Sequence, residues 1–409
     1  MERVRLAQLS DLHLGANLSG GKLALPPPKA DKRRAEQRLC LQKFAAHVRE
    51  TRPTAALIPG DLFDSGEPDI DDLNFAISTI NSMAPVPVFI APGNHDGYSA
   101  SSCYNVHSAL YQSRGSGPKW GANVRIFTSE RFETIPVPGH PALSITGVAY
   151  HRHVPEDASP LAEVPRAPQT GIRILLFHGS LRKYALAGAD REVLPFAAPD
   201  LERAAYTYAA IGHYHHGGAV LGNHGQVLGA YAGAPFATSL ADEGVGSWLD
   251  LELAGPEPPL PGALHWRRCD ERAIHRIEMD VTGLSDATAL AARLDELLAA
   301  RQAAPRDIVF LSLRGRIARG VAFDPRQALT ERFFHAVVDE SRVEPDYAVD
   351  LAAPLPEGEP GLAATSEELF VRHMRNLYHQ ATSEDERAKV KEALFYGLDA
   401  LTRGEILLR

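Results

Sequence analysis

Five short clusters along the chain carry side chains that could bind metal: Asp11-x-His13, Gly60-Asp61-x-x-Asp64, Gly93-Asn94-His95-Asp96, His178-Gly179 and Gly212-His213-x-His215. Together they offer imidazole, carboxylate and carboxamide, the mixed nitrogen and oxygen set that suits Mn²⁺, Fe or Zn²⁺. In D-x-H and H-x-H one residue separates the two donors, so in an extended segment both point the same way. Glycines ahead of Asp61, Asn94 and His213 allow tight turns and close approach of the backbone. Any single cluster is a weak signal, because a lone His is more often a surface or satisfied core residue. Five in sequence, each after a β-type run, argue for one shared site.

The elements that must position these clusters are short and apolar. Residues 4–9 lead into SDLH, 55–58 into PGDLFD, 86–90 into APGNHD, 172–177 into HGS and 206–211 into GHYHH. Helical patterns lie between several of them, at 31–52 and 70–83, and 124–150 reads as more purely β. Strands that end in polar clusters bring those clusters to one edge of a sheet, where open α/β sheets hold their sites. Two Pro-rich stretches, 255–262 (GPEPPLPG) and 354–360 (PLPEGEP), read as linkers. They divide the chain into residues 1–255, 263–353 and 361–409. The middle part reads as strand 274–281, helix 287–300, strand 308–313, helix 325–338 and strand 346–351, with Leu290, Leu294 and Leu297 on the apolar face of its first helix. In the last part, Thr365-x-x-Glu368 and Ser383-x-x-Glu386 are capping-box patterns opening two helices. Val390, Leu394, Leu398 and Leu401 then form a stripe that ends before Gly404.

Composition sets the outer bounds. At 409 residues, with 44% hydrophobic and 23% charged side chains, the chain has the material for two or three folded domains and is not disordered. A net charge of −9 argues against a uniformly basic nucleic-acid-binding surface, though not against a local groove. Cys40, Cys103 and Cys269 are widely spaced with no CxxC pair, which excludes a thiolate zinc site and a disulfide framework and suits a reducing cytoplasm. The start lacks the apolar core of a signal peptide, and no apolar run reaches about 18 residues, so no membrane span is expected.

The order D-x-H, G-D-x-x-D, G-N-H-D, lone His, G-H-x-H resembles the calcineurin-like metallophosphoesterases. Within them, the HLG after the first cluster and the strand–helix–strand part followed by a helical tail look most like the bacterial SbcD-type DNA repair exonucleases. The resemblance implies an α/β fold: a β-sandwich flanked by helices in four layers (αββα), a small α/β capping domain and a C-terminal helical tail. It implies two divalent ions, manganese first among them, with Asp11, His13 and His215 on one, Asn94, His178 and His213 on the other, and Asp61 bridging. Metal-activated hydroxide would attack a phosphodiester in line. His95 would stabilise the transition state or protonate the leaving oxygen, and Asp96 would hold its ring. Asp64 reads as a residue behind the ligands, His216 as a bystander, and His151-x-His153 as a pair without ligand context.

Arg182 and Lys183, soon after His178, are candidates for DNA contact. Lys32, Arg33 and Arg34 read equally as a basic arm on phosphate backbone or as a solvated helix start. The resemblance also implies DNA as substrate, a homodimer formed through helices near 70–83 and 102–112, and a coiled-coil SbcC-type ATPase docking on the C-terminal helices, whose stripe could equally pack on the chain's own cap. A phosphatase or phosphodiesterase acting on a small molecule, nucleotide or phosphoprotein shares all five clusters. A non-catalytic scaffold is disfavoured by the intact His95 and ligand set.

Overall fold

The computed structural model describes the chain apart from residues 1–2, 21, 152–160, 162–163, 167–169, 183–192, 285, 319–323, 348, 356–364 and 404–409. Two six-stranded sheets form its larger unit. The first runs β12 (Leu264–Arg268), β11 (Ser247–Leu253), β1 (Val4–Gln8), β2 (Ala55–Ile58), β3 (Val88–Ile90), β4 (Val124–Ile126). The second runs β5 (Glu133–Val137), β6 (His140–Gly147), β7 (Ile172–His178), β8 (Tyr208–Gly212), β10 (Val227–Tyr231), β9 (Gly218–Leu221). β1 to β4 are parallel, as are β6, β7, β8 and β10, so the ends that carry the five clusters share one edge of each sheet. The expected strands are present, shifted by one or two residues at their ends.

The inner faces of both sheets meet in one core that includes Leu6, Leu57, Phe89 and Leu251 from the first and Ile145, Ile174, Leu176 and Tyr208 from the second. On the outer face of the first sheet lie α1 (Pro27–Thr51) and α2 (Ile70–Asn81), through Leu41, Phe44, Leu73 and Ile77. After α3 (Ala109–Ser113), α4 (Ala198–Ala204) covers the second sheet with Leu201 and Ala204. This is the four-layer αββα order. β7 is buried at every position because it has a layer on both faces.

A polar bridge crosses the apolar seam. Gln8 donates to the carbonyls of Ile211 and Ala230 and accepts from the Tyr208 hydroxyl at 2.7 Å. Buried polar groups tolerate few alternative pairings, so this bridge fixes one sheet against the other just below the clusters.

Several boundaries differ from expectation. Helix α1 starts at Pro27, because a proline in the first turn gives up no hydrogen bond there. Residues 102–108 are turns, and α3 begins only after the Ser108 cap. GPEPPLPG does not end the unit: β12 follows it and pairs with β11, and the stretch is a loop whose Pro256 and Pro259 carbonyls accept from Thr207 and Val227. The larger unit comprises residues 1–276, 304–309 and 333–335.

The smaller unit comprises residues 277–303, 310–332 and 336–409. The three-stranded sheet has the order β13 (Ile274–Asp280), β14 (Ile308–Ala318), β15 (His335–Asp346), with α5 (Ala287–Ala300) and α6 (Pro325–Arg332) between. Helix α5 buries Leu290, Leu294 and Leu298, the last in place of Leu297. The final strand comes about ten residues earlier than 346–351, because the run expected to continue a helix to 338 is charged and β-branched, and Arg342 and Glu344 find Ser312 and Arg316 on β14. Both capping patterns open helices: α7 (Ser366–Gln380) has the full Thr365–Glu368 box, while at α8 (Glu384–Arg403) Glu386 reaches back to Thr382 rather than Ser383. The α8 stripe closes on α7, with Leu394 and Leu398 packed against Met374 and Leu351. Only Leu401 of that stripe stays exposed, so most of it is not left for a partner. The three cysteines are free and buried, and among the described residues no helix is long and apolar enough to cross a membrane.

Candidate metal centre

The site forms where the two sheets meet. The first sheet brings Asp11, His13, Asp61 and Asn94, and the second brings His178, His213 and His215. Extended geometry is not what aims the D-x-H and H-x-H pairs. β1 ends at Gln8, and Asp11, His13 and Asp61 all hold left-handed backbone at φ 50° to 56°, with His213 at φ 112°. Non-glycine residues there are strained and persist only where their surroundings impose it. Here the two turns impose it on each other: Asp11, His13 and Leu14 donate to the carbonyls of Gly60, Asp61 and Leu62. The glycines do what close approach requires. A Cβ on Gly93 would stand 2.2 Å from the Asp61 carboxylate, and one on Gly212 would stand 1.9 Å from the Pro59 carbonyl.

Three imidazoles have one nitrogen fixed from behind. His13 Nδ1 faces the Asp64 carboxylate at 3.0 Å, His178 Nδ1 the Pro59 carbonyl at 2.9 Å, and His215 Nδ1 the Asp242 carboxylate at 2.9 Å. A proton donated on that side leaves Nε2 as a lone pair facing inward. His13 Nε2 and His215 Nε2 then meet at 3.1 Å, and His178 Nε2 lies 2.9 Å from Asn94 Oδ1 and 3.3 Å from Asp61 Oδ2. Lone pairs converging at these distances need a proton or a cation between them. Asp11 Oδ2 is buried without a hydrogen-bond partner, while Oδ1 accepts from the His213 amide. The residues present therefore fit a metal centre. Asp11, His13 and His215 cluster closely enough to share one ion, as do Asp11, Asp61 and His178. His213 stands edge-on to His178 with ring centroids 5.3 Å apart.

Charge supports the same picture. Burial pushes the His178 imidazolium down, but the Asp61 charge outweighs it and holds the pKa at about 9. Burial acts likewise on His215, and Asp242 holds it at about 9. Asp61 stays well below the carboxylate range despite its burial, through His178. His213 is pushed down to about 3 by burial and by the neighbouring His178 charge. Near pH 7 the metal-free protein therefore holds protons on His178 and His215, and a cation must displace them. Each subsite's affinity is expected to rise about tenfold per pH unit up to about pH 9. Calorimetric Mn²⁺ titration in buffers of different ionisation enthalpy should show about one proton released per ion, and no release would contradict the assignment.

His95 is more exposed than these donors, although with His13 and Asp64 it also comes close enough to share an ion. Its side chain is 43% exposed, its Nδ1 faces the Asp64 carbonyl at 3.2 Å, and its ring stands edge-on to His13 with centroids 4.6 Å apart. That leaves Nε2 for a phosphate oxygen or a leaving group.

Asp96 does not hold the His95 ring. It is fully buried, and its two oxygens accept from the amides of Asp61, Leu62, Phe63 and Gly93 and from the Tyr104 hydroxyl. It staples the Asp61 turn to the Gly93 turn, and Asp64 is the carboxylate beside His95, at 3.5 Å. Asp96→Ala should therefore cost roughly 3 kcal/mol of stability or more, from amides left unpaired at about 1–3 kcal/mol each. The check is thermal melting with metal analysis: an unchanged melting point with a lowered rate would restore the catalytic role.

The basic candidates scatter. Arg33 is fully buried against Asp270 and cannot reach DNA. Arg34 pairs with Asp31, the Lys32 ammonium lies over the Phe334 ring, and Arg182 is exposed. Lys183 and His153 lie outside the described residues, and His151 pairs with Glu130 away from the donors. Asp242 had no signal in the sequence: it lies 27 residues beyond His215, outside any spaced cluster.

With fold and donors in place, the class is clear: residues 4–217 match the calcineurin-like phosphoesterase model, and the chain belongs to that family. Over 150 residues it is 24% identical to the SbcD component of the nuclease SbcCD of Staphylococcus epidermidis, a match covering 36% of this chain and 33% of that protein. Among solved structures it is similar to a Thermus thermophilus protein (13% identity, TM-score 0.37, covering 66% of this chain and 100% of the other). It is also similar to a dimetal phosphatase from Danio rerio (12% identity, TM-score 0.37, 65% and 99%).

Proposed function

We propose that the protein is a two-metal phosphodiesterase that cleaves DNA. Asp11, His13 and His215 would hold one divalent ion, Asn94, His178 and His213 the second, and Asp61 would serve both. The observation that carries this reading is the convergence of the inward-facing Nε2 atoms of His13, His215 and His178 beside the unpartnered Asp11 Oδ2. Bound ions would supply Lewis-acid polarisation of the phosphoryl oxygens and a lowered water pKa. His95 contributes a proton or hydrogen bond from Nε2 to the leaving oxygen, while Asp64 fixes both His95 and His13. Manganese is favoured over magnesium because imidazoles dominate the donor set.

DNA as the substrate is supported by the likeness to the nuclease component and by the exposed Arg182. The same resemblance carries the homodimer and the SbcC-type ATPase partner as proposals. One observation favours a small phosphodiester instead. A cavity of 690 Å³, reaching Gly15 two residues past His13, is lined by Asp31, Asp69, Asp71 and Asp72 against only Arg34 and Arg38. That flank repels a polyanion. The deciding experiment offers Mn²⁺-loaded protein single- and double-stranded DNA beside bis(p-nitrophenyl) phosphate, with a chelated control. Cleavage of DNA is expected, and ester hydrolysis with intact DNA would favour the small substrate.

A further inference from the structure

Arg33 poses a physical question, since a guanidinium is costly to bury and this one lies far from any exposed role. Its fork is bidentate to Asp270, at 2.7 and 2.8 Å, and its plane lies 3.8 Å from the Phe236 ring centre. The pair does more than neutralise itself. Arg33 Nη2 donates to the Ala237 carbonyl at 3.3 Å, and Asp270 Oδ2 accepts from the Ala237 amide at 3.2 Å, so both backbone groups of one residue are held. The next residues, Thr238 and Ser239, give their amides to Asp242 Oδ2 at 2.9 Å each. The other Asp242 oxygen holds His215 Nδ1. One turn along the same helix, the buried Gln37 amide donates to the Leu12 and His13 carbonyls at 2.9 and 2.8 Å. Glu36, between them, is bidentate to Arg272 and ties the helix to the same segment as Asp270.

We propose that helix α1 positions one metal subsite from behind, with Gln37 setting His13 and the Arg33–Asp270 pair setting Ala237, and through it the Asp242 turn that aims His215. Arg33, Asp270, Gln37 and Asp242 are positioning residues and touch no substrate. The inference rests on the two-metal reading. It predicts unequal effects: Gln37 and Asp242 hold His13 and His215 directly, which belong to one subsite, whereas His178 is held from behind by the Pro59 carbonyl.

The test is calorimetric Mn²⁺ titration of the full chain after metal stripping. Wild type should show two ions, and absence of two would defeat the two-metal reading itself. His215→Ala identifies which binding step belongs to its subsite. The double variant Arg33→Met with Asp270→Leu removes both buried charges together, which proteins tolerate better than an orphaned charge; Glu36 loses its bond from Arg33 but keeps both from Arg272. That variant, and Asp242→Ala, should weaken the step that His215→Ala removes by about 10–100-fold and leave the other within about twofold. If the double variant does not fold, Arg33→Lys carries the decision, because it keeps the charge and loses the fork that reaches both Asp270 oxygens and the Ala237 carbonyl at once. Equal weakening of both steps, or of neither, overturns the proposal.

Discussion

Asp61→Ala is expected to lose metal and activity together. Its Oδ2 lies 3.3 Å from His178 Nε2 and 3.8 Å from His13 Nε2, so one carboxylate faces donors of both subsites. Its Oδ1 accepts from the His95 amide and so also sets the loop that carries the proposed acid. Removing a group behind a ligand typically costs about 10–100-fold in metal affinity, and removing a shared ligand should exceed that at each subsite. His178 and His215 would then keep their protons further into the neutral range only where another carboxylate still supports them. For His178 that support comes mainly from Asp61, so its pKa should fall. Metal analysis of the purified variant should find fewer than two ions per chain, with phosphodiester hydrolysis near background. Two ions retained would contradict the bridge.

His95→Ala should separate chemistry from binding. On the proposed assignment His95 is not among the ligands of either ion, so both ions should remain bound in the variant. The rate on DNA should fall by about 10²–10⁴-fold, the usual worth of a positioned acid. A nitrophenolate leaves readily without a proton and a deoxyribose oxygen does not, so the loss on the nitrophenyl ester should be far smaller. Equal losses would assign His95 a purely electrostatic role. Loss of metal would place it among the ligands.

How much of this was readable in the residues depends on what each level rests on. The five strands that carry the clusters announced themselves because each is a short apolar run stopped by a polar cluster, whereas β9 to β12 follow the last cluster and carried no such signal. The order of those clusters located the donors because the chain must reach the same sheet edge five times. The orientation of the donors was not readable. Alternation along a strand would have aimed Asp11 and His13 together, but left-handed turns held by neighbouring carbonyls aim them instead. Asp96 misled because adjacency to His95 stood in for contact, whereas burial turned its carboxylate toward backbone amides. Arg33 misled because a basic residue in a charged run gives no sign that Asp270, 237 positions away, will enclose it. Positions such as Asp242 and Gln37 depend on tertiary approach alone, and no local pattern records it.

The central claim, two cations held by this donor set, is tested most directly by stoichiometry in the unaltered protein. Chelator-stripped protein should be inactive on bis(p-nitrophenyl) phosphate, and Mn²⁺ titrated into it should bind to two ions per chain, with hydrolysis rising as the second subsite fills. Hydrolysis that persists in the stripped protein, or a titration that finds no ion while the fold remains intact, would contradict it.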